Sequence, residues 1–117
     1  VEQRYSDMTV EQLRDVVSKL TEQARKAEQM GMVNEYAVYQ RKIQMAKSYM
    51  VNPATFSKGD VYEIEGSPAV YFEIQYMNGI FAWGRRKDEN GTWLEVQGAE
   101  EYEALPISML GNKINPS

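Results

Sequence analysis

The chain has 117 residues, a formal net charge of −4, 43% hydrophobic and 26% charged residues, and neither cysteine nor histidine. That length suits one domain or two small units sharing a core, and the composition is that of a globular protein with no disulfide framework. Without thiolate or imidazole there is no zinc site and no Ser-His-Asp or Cys-His nucleophile, so the expectation is no metal, no cofactor and no enzyme.

The first predicted element is a helix over "MTVEQLRDVVSKLTEQARKAEQMG". Thr9 followed by Gln12 is a capping-box pattern, and Gly31 suits the position just past a helix end. Leu13, Val17, Leu20, Ala24 and Ala27 recur at spacings of four and three, which makes one apolar stripe. Glu22 and Lys26 form an i,i+4 pair on the polar side. A second helix follows in "NEYAVYQRKIQMAKSYMVNP". Asn34 is its expected N-cap, Val33 and Val38 stand at staple positions, and Asn52-Pro53 ends it. Tyr36, Tyr39, Ile43, Ala46 and Met50 form its stripe, and Met45 with Tyr49 suggests a second apolar face. Two long helices with a short link read as an antiparallel hairpin.

After Pro53 the period changes from 3.6 to 2. "GDVYEIE", "AVYFEIQYM", "IFAWGRR" and "TWLEV" read as strands, with Asn78-Gly79 and Asn90-Gly91 as hairpin turns and "EALPISML" as a closing segment. Pro106 suits an edge. The fold expectation is α+β: an N-terminal helical hairpin over residues 1–53, then a small SH3-like antiparallel β-barrel over residues 54–117. Two-residue turns set a register. Phe72, Ile74, Tyr76, Phe81 and Trp83 then share the barrel interior, and Glu73, Gln75, Met77, Ile80, Ala82 and Gly84 lie outside. Continued through Asn90-Gly91, the ladder puts Leu94 and Val96 inside, pairs Arg86 with Glu95 outside, and turns Trp93 outward. An outward Trp beside a charged turn is the feature that asks for an explanation.

The blocks "ARKAEQ", "NEYAVYQRKIQMAKSYMVNP", "YMNGIFAWG" and "EALPIS" resemble the YfhH-like family of bacterial proteins, and the likeness runs from "RYSDMT" to "LPISML". The resemblance implies a helical hairpin joined to an SH3-like barrel. Members are filed as of unknown function, or as candidate transcriptional regulators, so it implies no catalytic or binding residues.

Three functional classes follow. A non-enzymatic interaction module would bind a protein partner through Arg85, Arg86, Lys87 and Trp93, and the helical hairpin could pair two copies of the chain as a four-helix bundle. A nucleic-acid-binding regulator would use Arg25, Lys26, Arg41, Lys42 and Lys47 as one basic face. The sequence pI of about 4.9 disfavours it, since phosphate backbones call for a basic stripe. An enzyme ranks last, because neither a phosphate-binding glycine loop nor a nucleophile elbow is present. No apolar run is long enough to cross a bilayer and nothing reads as a signal peptide, so a cytoplasmic protein is the expectation.

Overall fold

Helix α1 runs from Val10 to Gln29 in the computed structural model, which describes residues 4–95 and 101–114. Its start is the predicted capping box. The Gln12 amide donates to Thr9 Oγ1 at 3.1 Å, and the Thr9 amide donates to Gln12 Oε1 at 2.9 Å. Its end is a full Schellman motif around Gly31, which takes φ +70°. There the Met32 amide reaches the Ala27 carbonyl and the Gly31 amide reaches that of Glu28.

Helix α2, Val33–Ser48, begins at once, with Met32 as its N-cap. Met32 is thus both the last residue of one motif and the first of the next. This corrects the expected cap: Asn34 is already helical, and Val33 and Val38 are exposed rather than stapled. The predicted stripes do meet. Leu20 and Ala24 of α1 bury against Ile43 of α2, with Val16, Val17, Tyr36 and Tyr39 packed around them. On the polar side Glu22 pairs with Arg25 rather than Lys26.

The chain divides into two compact units, Val1–Val51 and Asn52–Ser117. The second opens on a 3-10 turn at Pro53–Thr55, capped by the Asn52 side chain. Six strands follow: β1 Val61–Ile64, β2 Ser67–Asn78, β3 Phe81–Asp88, β4 Trp93–Leu94, β5 Glu103–Pro106 and β6 Leu110–Lys113. They form one antiparallel sheet in the order β4-β3-β2-β1-β6, with β5 also on β3. A 3-10 turn, Ile107–Met109, splits the predicted closing segment into β5 and β6. Among the described residues no pairing joins β6 back to β4 or β5, so the sheet is open.

The register differs from the predicted one at three places. The first hairpin closes through Gly79 and Ile80, because Asn78 pairs with Phe81. Gly79 takes φ +59° and Ile80 a negative φ, the arrangement of a II′ loop. The second hairpin has a three-residue loop: the Asp88 amide donates to the Thr92 carbonyl, and the Asp88 carboxylate accepts the amides of Asn90 and Thr92. That shift pairs Lys87 with Trp93 and Arg86 with Leu94. Third, β2 bulges at Gln75, so Tyr76 faces Trp83 while Ile74 faces Gly84.

The bulge decides the core. It gives Gln75 an unpaired position and flips the strand's alternation, so Phe72 and Ile74 lie on one face and Tyr76 on the other. The buried face carries Tyr62, Phe72, Ile74, Ala82 and Leu105, with Phe72, Ile74 and Ala82 at 0% exposure. Each large apolar side chain there contributes about 2 kcal/mol. Ile80 and Ala82, placed outside by the sequence reading, are core; Phe81 and Trp83, placed inside, are half-buried on the opposite face.

Where β1 begins, Asp60 is buried at 5% exposure. Its carboxylate accepts the Ser57 amide at 3.0 Å and lies 3.3 Å from Lys113 Nζ on β6. Burial and, after it, the Asp60 carboxylate push the Tyr62 hydroxyl above the ordinary tyrosine range. The folded chain therefore keeps the Tyr62 proton longer than the unfolded chain does. This contribution is fully present below the unfolded pKa of about 10 and is lost as pH rises towards the folded value. Tyr62→Phe should flatten that part of the alkaline loss. The check is urea midpoints for both proteins between about pH 9 and 11, and parallel curves would refute the assignment.

Candidate functional site

The face of the sheet opposite the core is where exposed rings and cations gather. The alternation of β3 places Phe81, Trp83, Arg85 and Lys87 there, and the bulge adds Tyr76 from β2. Directly opposed, Tyr76 and Trp83 stack with centroids 5.7 Å apart and planes 7° from parallel. Tyr102, just before β5, meets Tyr76 edge-on at 6.3 Å. Trp93 of β4 lies opposite Lys87 and remains exposed, at 39%. The Arg85 guanidinium sits 4.5 Å from the Trp93 ring centroid and Lys87 Nζ 5.3 Å from it. Tyr76 is 45% exposed.

Two of the three neighbouring cations have carboxylate partners among the described residues. Lys87 Nζ lies 2.9 Å from Glu73 Oε1, across the β2–β3 pair. Arg86 points to the other face, where Nε reaches Glu103 Oε1 at 2.5 Å and Nη2 reaches Oε2 at 3.3 Å. This corrects two expectations: Arg86 is not a rim cation, and its partner is Glu103 of β5 rather than Glu95. Arg85 has no carboxylate partner among the described residues. It is held over Trp93, close enough to Tyr102 to oppose the rise in that hydroxyl's pKa that burial and Glu101 cause.

Of the four residues singled out from the sequence, the structure brings Arg85, Lys87 and Trp93 onto one face and takes Arg86 away. Tyr76, Trp83 and Tyr102 are added. Leu94 is half-buried opposite Arg86, and Val96 lies outside the described residues. A signal for Trp83 was present in the sequence: Ile80, Ala82 and Gly84 alternate with it and could themselves have been the inward set.

The basic residues named on the helices are Arg25 and Lys26 of α1 and Arg41, Lys42 and Lys47 of α2. Arg25 is bound by Glu22 through Nη2 at 2.6 and 2.5 Å, and that hydrogen bond, then the Arg25 charge, holds the Glu22 carboxyl below its ordinary range. Arg41 and Lys42 lie together on the outer side of α2. Lys47 is about 140° around the helix from Lys42, on the far flank of the buried stripe.

Among the described residues no group of three or more acidic side chains could hold a metal ion, and no helix is long and apolar enough to cross a membrane.

The family described as "Protein of unknown function (DUF1811)" matches residues 3–111. The "Uncharacterized protein YfhH" of Bacillus subtilis (strain 168) is 45% identical over 113 residues, covering 97% of this chain and 99% of the relative. The specific blocks in both helices and in the first hairpin are thus part of a likeness that spans both units, and the chain belongs to the YfhH-like DUF1811 family.

Proposed function

We propose that this protein is a non-enzymatic interaction module that binds a protein partner through the exposed face of its sheet. One observation carries the reading: an Arg85 guanidinium, without an ion pair among the described residues, held over an exposed Trp93 beside the Tyr76–Trp83 stack. Trp, Tyr and Arg are the side chains that dominate protein–protein interfaces, because they bury large areas at low entropic cost and carry a polar handle. A ring-held guanidinium is pre-oriented for a carboxylate or a run of backbone carbonyls. In this reading the open sheet, with its 3-10 turn between β5 and β6, is an SH3-like barrel, and the aromatic face is its recognition surface.

The nucleic-acid alternative has weaker support at this face. Lys87 is committed to Glu73 and Arg86 to Glu103, which leaves Arg85 as the one of these three without an ion pair among the described residues. A phosphate backbone needs several.

The test is affinity capture from extract of the producing organism, with and without nuclease treatment, with wild type, Arg85→Glu and Trp93→Ala as baits. Lys58→Glu serves as a charge control. The expected result is a discrete partner retained by wild type and Lys58→Glu and reduced at least tenfold by either site variant, with unfolding midpoints little changed for Arg85→Glu. Equal retention by all four baits refutes the site. Retention that nuclease abolishes transfers the argument to the regulator reading.

A further inference from the structure

A second site lies in the helical unit, independent of the sheet. The outer side of α2 presents Arg41, Lys42, Met45 and Tyr49, which recur at spacings of three and four and so share one side of the helix. Arg4, Tyr5 and Ser6, at the 3-10 turn Tyr5–Asp7, form the facing wall. Between them is an open groove of about 690 Å³, within the range that small ligands occupy.

Its chemistry is one-sided. Among the described residues that line it, three of seven are cations and none is acidic. None of Arg4, Arg41 and Lys42 has an ion pair among the described residues. The rings of Tyr5 and Tyr49 meet edge-on, with centroids 6.5 Å apart and planes at 67°. Half-buried Met45 gives an apolar, polarisable floor, and Ser6 adds a hydroxyl. Two guanidinium forks and an ammonium on one groove, with no carboxylate among its described lining, call for an anion with several acceptor oxygens, which a phosphate group provides. The rings and the thioether beside them suit a flat, polarisable group.

We propose that this groove binds a nucleotide, its phosphate on Arg4, Arg41 and Lys42 and its base against Tyr5, Tyr49 and Met45. The nucleotide is either free or one unit of a single-stranded nucleic acid. The groove is open and shallow, so the expected dissociation constant for a free nucleotide is on the order of 100 µM.

The experiment uses the whole chain, with fluorescence polarisation of a fluorescent ATP analogue and of a labelled 12-mer oligothymidylate. Unlabelled ATP and inorganic pyrophosphate serve as competitors. Arg41→Glu/Lys42→Glu reverses two exposed helix positions. Arg14→Glu/Lys19→Glu makes the same change in net charge on α1, away from the groove. The expected result is binding that weakens several-fold between about 50 and 200 mM salt, is lost at least tenfold in the groove variant, and is retained in the α1 variant. Tighter binding of the oligonucleotide than of ATP identifies the single strand as the source, and the reverse identifies the free nucleotide. The proposal is overturned by equal losses in the two variants, by pyrophosphate competing as well as ATP, or by no binding of either probe at millimolar protein.

Discussion

Gly84→Ala is expected to remove about 3 kcal/mol or more of stability from the sheet unit, the largest effect of any single methyl group in it. A Cβ built on Gly84 would lie 1.9 Å from the Glu73 carbonyl oxygen and 3.1 Å from Ile74 Cα. The obstruction is backbone, so no side chain can swing aside. It comes from the bulge at Gln75, which drives β2 close against β3 where Ile74 opposes Gly84. Relief requires either parting the two central strands or straightening the bulge. Straightening it would carry Tyr76 to the face of Phe72 and Ile74 and undo the aromatic surface. Gly111→Ala on β6 is the matched control, because its nearest contacts are at 3.5 Å, ordinary van der Waals distance; it should change stability by about 0.5 kcal/mol or less. Urea unfolding followed by tryptophan fluorescence separates the two. Equal, small changes for both would show that the bulge is not fixed by Gly84.

Arg86→Met is expected to cost about 2 kcal/mol, between the values for exposed and fully buried ion pairs. The Arg86 and Glu103 side chains are 25% and 14% exposed, and their two hydrogen bonds tie β3 to β5 across 17 residues of sequence. Removing the guanidinium strands a largely buried carboxylate. Removing the carboxylate charge with Glu103→Gln strands the guanidinium. The double variant leaves neither, so it should lose about 1 kcal/mol or more less than the sum of the single losses. Strict additivity in urea unfolding would mean that each side chain acts through its own packing. The pair also distinguishes two neighbours in sequence: Arg86→Met should lower stability and leave partner binding intact, and Arg85→Glu should do the opposite.

Period and punctuation made the helical unit legible. Thr9, Gln12 and Gly31 mark the ends of α1, and the stripes through Leu20, Ala24 and Ile43 meet as their spacing requires. These are short-range facts, set by hydrogen bonds and side-chain spacing within a few turns. The start of α2 was misread for a tertiary-like reason on a small scale: two capping motifs share Met32, and a residue-by-residue reading assigns one motif to one residue. In the sheet, strand locations followed from alternation and from the glycine-marked turns. Faces did not follow, because a face depends on the sum of every register choice before it. Moving one loop from Asn78-Gly79 to Gly79-Ile80, and lengthening another by one residue at Asp88, changed the pairings. The single bulge at Gln75 then exchanged the faces.

The sequence alone determined the α+β order, the glycines that mark the turns, the absence of thiol and imidazole chemistry, and the family. It also marked Trp93 as an aromatic in need of explanation. The tertiary structure decided which aromatics are core and which are surface, that Arg86 meets Glu103 while Arg85 lies over Trp93, and that Arg4 faces Arg41 and Lys42 across a groove. The physical reason is the same throughout. Local propensity and periodicity are encoded in neighbouring residues, whereas the partner of a charge and the face of a ring are properties of chain segments that only folding brings together.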